Sequence, residues 1–309
     1  MGETKRKREV VLNDPCPCGE ARPARDCCLV AGSWHKPSAK LGLAALPAEA
    51  TVERCYMLEL GSCVAPISGE HIISKSVIEV LKGDGGFSVS GVPWLQPGEE
   101  KIISPQSLRA NCLCTIHNSA LSPIDDAARH FFSSLKAYLE IDDGPRHALV
   151  SGHDIERWLL KTAKAMAVSG NLTRGNQRLP GTFACDMTVV TMLDDPTAWP
   201  EGAGLYCVLA AGDLITNHQR FQLVPLVNDD DEIEALQVSI LGLIFVLLLG
   251  PLDLGKFSFL ADARFRPGRI VIRQPKAHNW MTLSWDEPGA HGELTVQFVQ
   301  NVPRPQPRE

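Results

Sequence analysis

Apolar residues follow a helical period through the middle of the chain and a strand-like one beyond about residue 180. Ser122-Pro123-Ile124-Asp125 reads as an N-cap, a proline at the first helical position and a carboxylate three residues past the cap. Ile124, Ala127, Phe131, Leu135 and Leu139 then fall on one helical face. A second stripe, Ile155, Trp158, Leu159, Thr162, Ala163, Met166 and Ala167, predicts a helix from near Asp154 to a stop at Gly170-Asn171. Further on, Thr188–Met192, Gly204–Leu209, Phe221–Leu226, Arg269–Arg273 and Leu294–Val299 are short β-branched or alternating runs, and predict strands.

One run, Ala235 to Leu252, carries no charge over 18 residues, which is close to the lower limit for a membrane span. Gly242, Gly250 and Pro251 interrupt it, and it lacks basic flanks and interfacial Trp or Tyr. It reads as buried strand and helix segments of a core, with no membrane partner expected.

A length of 309 residues suggests two domains, and 44% apolar with 21% charged residues is ordinary for a globular chain. Punctuation divides the sequence further. Residues 1–30 form a cysteine module, 31–50 a low-order linker, and 51–142 a core that stops at Asp142-Asp143-Gly144-Pro145. Residues 143–302 read as a C-terminal α+β domain rich in strands, and 303–309 as a disordered tail. The expected fold class is α+β throughout. The start, Thr4-Lys5-Arg6-Lys7-Arg8 with no apolar run behind it, lacks the form of an export signal, so the expected location is the cytoplasm.

In that compartment ten cysteines point to thiolates on metal rather than to disulfides. Eight of them lie before residue 115. Cys16-Pro17-Cys18 followed by Cys27-Cys28 is C-x-C-x8-C-C, four soft ligands at a spacing that favours Zn²⁺. The string Asn13-Asp14-Pro15-Cys16-Pro17-Cys18-Gly19 resembles the SEC-C motif, which implies a zinc-dependent docking element for a protein partner. The basic-aromatic run usual between the cysteine pairs is reduced here to Arg22 and Arg25.

Two further strings carry chemistry. Glu70-His71-Ile72-Ile73-Ser74 places a carboxylate beside a histidine in a strand-like step; Cys114-Thr115-Ile116-His117-Asn118 places a knuckle pair directly before an asparagine. In this order, about fifty residues apart, they resemble the core of the HNH (ββα-metal, His-Me finger) endonucleases. The resemblance implies a β-hairpin followed by a helix, with His71 as general base and Glu70 and Asn118 as oxygen ligands of Mg²⁺ or another divalent cation. It implies too a structural zinc held by Cys55, Cys63, Cys114 and His117, the second of about two zinc sites. Cys55 and Cys63 are separated by seven residues where the family usually has C-x2-C, and Cys112 competes with Cys114 because a strand aims both the same way. Ser74 stands where proline is common. Asn111 is the candidate for the middle asparagine of the motif, with an ordinary turn asparagine as its alternative. Lys75 is a candidate phosphate contact.

Asp125 and Asp126 read as carboxylates balancing a helix dipole, and the remaining histidines show no ligand spacing. There is neither a nucleophile elbow nor a phosphate-binding glycine loop. The expected function is therefore metal-dependent hydrolysis of phosphodiester bonds, with DNA as the leading substrate and bacterial restriction or phage defence as the setting that the resemblance suggests. Charge argues the other way: the net charge is −6, and residues 51–142 hold seven Lys/Arg against eleven Asp/Glu. That balance keeps open a zinc-stabilised nucleic-acid or protein adaptor without catalysis. An RNA-directed nuclease is open as well.

Overall fold

The computed structural model describes residues 12–45, 52–64, 66–82, 86–96, 98–140, 144–175, 177–185, 189–216, 221–287 and 291–299. The basic start, Asp142-Asp143 and the 303–309 tail lie outside the described residues. The protein is a mixed α+β chain, strand-rich with few helices.

After the cysteine module come strand β1 (Ile67–His71), helix α1 (Lys75–Leu81), a hairpin of β2 (Phe87–Ser90) and β3 (Glu100–Ile103), and then β4 (Arg109–Cys114). Strand β4 pairs antiparallel with β1 and runs directly into α2 (Thr115–Ala120). Helix α3 spans Ser122–Glu140, as its apolar stripe predicts: Ile124, Ala127, Phe131, Leu135 and Leu139 are all buried. Strand β5 (His147–Ser151) leads into α4 (Gly152–Val168), whose N-cap Ser151 accepts from the Asp154 backbone N–H. The rings of Phe132 on α3, Trp158 on α4 and Phe221 meet edge to face, with centroids 5.3–6.0 Å apart. One hydrophobic core runs through these contacts from Leu41 to Val296.

The run at Thr188–Met192, expected as a strand, is helical over its described part: α5 spans Val189–Asp194. Val189, Val190, Met192 and Leu193 are buried together, and this face packs on α4. Packing thus overrides the β-propensity of the two valines.

Among the described residues nine strands follow α5: β6 (Gly204–Cys207), β7 (Leu214–Thr216), β8 (Phe221–Val227), β9 (Ile233–Ile240), β10 (Leu243–Leu248), β11 (Arg264–Phe265), β12 (Arg269–Arg273), β13 (His278–Ser284) and β14 (Glu293–Val299). One five-stranded sheet has the order β8-β9-β10-β6-β11 and the other β7-β14-β12-β13-β5. The uncharged run from Ala235 to Leu252, expected as strand and helix segments, forms most of the β9–β10 hairpin and holds no helix. Its two-residue turn, Leu241-Gly242, has φ of 48° and 89°, the type I′ signature that matches strand twist. No described helix is long and apolar enough to cross a membrane.

The stretch expected as a low-order linker is pinned along its described part. Backbone N–H groups of Lys36, Ala39 and Leu43 donate to Ser284 (3.0 Å), Asp154 (3.0 Å) and Asp194 (2.7 Å). Acceptors far away in sequence hold this segment, so its own composition gives no sign of the order. The cysteine module is anchored as well: Pro17 O accepts from the Leu149 backbone N–H at 3.0 Å and from His130 Nε2 at 3.0 Å.

Candidate functional site

Glu70 and His71 are neighbours on β1, and on a regular strand their side chains would point to opposite faces. The β1–β4 ladder is not regular. Ser68 faces Leu113 but Glu70 faces Ala110, so Gly69 stands against both Asn111 and Cys112 in a β-bulge. The Arg109 guanidinium covers the bulge, donating to Gly69 O from Nε at 3.1 Å and Nη2 at 2.9 Å. A Cβ on residue 69 would lie 2.8 Å from Arg109 Nη2, so glycine is what lets the guanidinium approach. Past the bulge, at the end of β1, Glu70 and His71 both line one cleft of about 410 Å³, together with Lys75, Glu79, Asn118 and Asp125.

His71 Nε2 is buried and has no hydrogen-bond partner among the described residues. Burial pushes the imidazole pKa below its ordinary value, and the charges of Arg109, Lys75 and Lys161 add to the shift. His71 is therefore neutral near pH 7 and able to accept a proton. Asn118, on α2, donates from Nδ2 to Ser68 Oγ at 2.9 Å, which leaves its amide oxygen as the acceptor end of the group. Ser68 in turn donates to Leu113 O. Asn111 is exposed on β4 and does not line the cleft.

Glu70 is 4% exposed. Its carboxyl is pushed above the ordinary range by burial, and the Lys161 ammonium beside it pulls partly back. Lys161 Nζ lies 2.6 Å from Glu70 Oε1, and 2.7 and 2.8 Å from the two Asp125 oxygens. Asp125 also accepts from Ser74 Oγ, which itself accepts from Trp158 Nε1 at 2.7 Å. Asp125 is thus part of the cleft and of a buried network, beyond the helix-dipole role expected for it; Asp126 pairs instead with Arg129 on the surface. Sequence reasoning missed Lys161. Its signal was a lysine one position before Thr162 on a face otherwise read as apolar.

Directly behind Asn118 lies the first of two metal-ligand groups. The ligand atoms of Cys55, Cys63, Cys114 and His117 all lie within 4.8 Å of one another, and every one of these residues is buried. His117 Nδ1 faces the three sulfurs at 3.4, 3.8 and 3.2 Å. Its other nitrogen, Nε2, is 3.0 Å from Ser62 Oγ, which donates onward to Leu43 O. The serine proton is committed to Leu43, so Nε2 carries the imidazole hydrogen and Nδ1 presents its lone pair to the thiols. Burial also lowers the His117 pKa, favouring the neutral, ligating form. Burial raises the Cys114 thiol, yet hydrogen bonds from the Val64 and His117 backbone and from Cys55 and Cys63 outweigh it and carry the pKa below its ordinary value. Cys112 stands apart, beside Ile72 and Ala165, with its pKa pushed up to about 12 by burial.

The second group is Cys16, Cys18, Cys27 and Cys28, again with ligand atoms within 4.8 Å of one another. The Cys18–Cys27 and Cys27–Cys28 sulfur separations are both 3.6 Å. Two thiolates about 2.3 Å from a tetrahedral ion would be roughly 3.8 Å apart, so the cage has the size such an ion needs. All these cysteines are free thiols. Each group could hold a metal ion. No family model matches this chain, and neither a curated protein nor a solved structure matches it.

Proposed function

We propose that the protein is a metal-dependent phosphodiester hydrolase of the HNH type, acting on DNA and stabilised by two structural zinc ions. The observation that carries this reading is the convergence of His71, Glu70 and Asn118 on one cleft, with His71 Nε2 lacking a partner among the described residues. An antiparallel pair of strands running into a helix supports the ββα-metal core, because this is the arrangement the resemblance implies. The oxygen donors of Glu70 and Asn118 suit a hard divalent cation. When bound there, such a cation would offset the charge that builds on the phosphate.

The chain's own groups supply the rest. Neutral His71 takes a proton from a water molecule at its unprotonated ring nitrogen as that water's oxygen attacks phosphorus, and the bond from phosphorus to the leaving sugar oxygen breaks. Lys75, exposed at the cleft, offers a charge for a substrate phosphate. His117 and Cys114 flank the start of α2, so the metal they would share fixes the helix that carries Asn118.

Three-thiol-and-imidazole and four-thiol donor sets both favour zinc over harder ions. The SEC-C-like module is read as a docking element for a protein partner. The test is incubation of the purified protein with plasmid DNA and with RNA, in Mg²⁺, Mn²⁺ or EDTA. Nicking or linearisation of DNA that depends on the divalent ion supports the reading, and cleavage of RNA alone redirects it to an RNA-specific enzyme. The acidic balance of residues 51–142 favours one alternative, a zinc-stabilised adaptor, and absence of cleavage with every ion would leave that one standing.

A further inference from the structure

Lys161 is 1% exposed on α4, among Trp158, Leu159, Leu160 and Thr162, all of them buried. A buried cation on such a face is costly, and an apolar side chain of similar volume is often as stable or more so. Its presence therefore calls for a reason beyond stability. The ammonium has three N–H donors, and three acceptor oxygens surround it: Glu70 Oε1 at 2.6 Å and both Asp125 oxygens at 2.7 and 2.8 Å. The Asp125 end is braced in turn, because Trp158 donates to Ser74 Oγ and Ser74 donates to Asp125. Each donor has a single direction in which to donate, so the chain from Trp158 through Ser74, Asp125 and Lys161 to Glu70 has one arrangement. It ends on one oxygen of the carboxylate that lines the cleft.

We propose that Lys161 is the positioning residue for Glu70: its ammonium, braced by Asp125 and Ser74, fixes the carboxylate so that it meets an incoming divalent cation in one orientation. The proposal rests on Glu70 being a cation ligand. Lys161 itself is sealed from the cleft and does not touch the substrate.

The test is Mn²⁺ binding by isothermal calorimetry on the zinc-loaded full-length protein, with a thermal melt of every variant. Lys161→Met alone leaves both the Glu70 and the Asp125 carboxylates without their cation and could fail to fold. The paired variant Lys161→Met with Asp125→Asn removes one charge of each sign and leaves only Glu70 without its cation, so it should fold, with a melting temperature below that of the parent. Its Mn²⁺ affinity should fall about 10- to 100-fold, the usual consequence of removing the group that orients a ligand. Ser74→Ala, which cuts the brace at its far end, should weaken Mn²⁺ in the same direction by a smaller factor, and Ser74→Thr should restore it. Parent-like Mn²⁺ affinity in both the paired variant and Ser74→Ala overturns the proposal, as does a parent whose Mn²⁺ binding survives Glu70→Gln unchanged. If the parent binds Mn²⁺ through Glu70 but cleaves no nucleic acid, the hydrolase reading fails and the positioning role stands.

Discussion

Ser62 Oγ sits 3.0 Å from His117 Nε2 and passes its own proton to Leu43 O, so one hydroxyl decides which face of the imidazole is a lone pair. Ser62→Ala removes that decision without touching a ligand atom. Zinc affinity at the Cys55/Cys63/Cys114/His117 group should drop about 10- to 100-fold, measured by competition with a chromophoric chelator. Unchanged affinity would mean that the tautomer is set elsewhere.

Metal content separates the two groups. Elemental analysis of the parent should give about two zinc per chain, one for each tetrahedral set. Cys16→Ser and Cys63→Ser should each lose one. Cys112→Ser should lose none, because that thiol lies outside the cluster. A parent with a single zinc would remove one of the two sites from the proposal.

His71→Ala should reduce DNA cleavage by about 10²–10⁴-fold or more while zinc content and DNA affinity stay near parental values, since a general base acts on the attacking water and not on binding. The pH profile carries a second sign. Burial and nearby cations lower the His71 pKa, so the base form persists into more acid solution than an ordinary imidazole allows. The acid limb of the rate should therefore fall below pH 6.5. An acid limb above that value would argue that another group takes the proton.

How much of this was legible in the sequence depends on the range of the interactions. The α3 stripe and its Ser122-Pro123 start are local, and so is the spacing that puts Cys114, His117 and Asn118 at one strand-to-helix junction. Long-range partners are different. Lys161 acquires its role from Glu70, 91 positions earlier, and the segment around Ala39 is held by Asp154, 115 positions later. No window of sequence contains both members of either pair. The helix at Val189–Asp194 was misread for a related reason: its β-branched residues favour a strand, and only packing against α4 decides for the helix.

Gly69 offers a test of the bulge. A methyl group there would meet the Arg109 guanidinium at 2.8 Å and displace it from the Gly69 carbonyl. Gly69→Ala should leave both zinc groups filled but lower cleavage by at least about tenfold, because loss of the two Arg109 donations loosens the β1 backbone next to Glu70 and His71. Parental cleavage by the alanine variant would show that the bulge holds without its guanidinium cover.

The ion cluster around His153 should make stability fall as pH rises. His153 is bonded on both nitrogens to carboxylates, Nδ1 to Glu156 at 3.3 Å and Nε2 to Glu287 at 2.7 Å. Arg266 contacts both glutamates, and the Trp285 ring stands edge-on to the imidazole. Burial by itself would lower the His153 pKa, but the Glu156 hydrogen bond and charge, with Glu287, carry it above the ordinary value despite Arg266. The folded state therefore holds this proton more tightly than the unfolded one. Below pH 6.5 both states are protonated and the contribution is fully present. As pH rises toward the folded value, only the native state keeps the proton, so stability declines by at most about 1.4 kcal/mol per pH unit, and past that value the contribution is gone. Denaturant midpoints collected from pH 6 upward should show this decline in the parent and a flatter profile in His153→Gln, which keeps a side-chain donor but cannot titrate. The same slope in both proteins would place the pH response elsewhere.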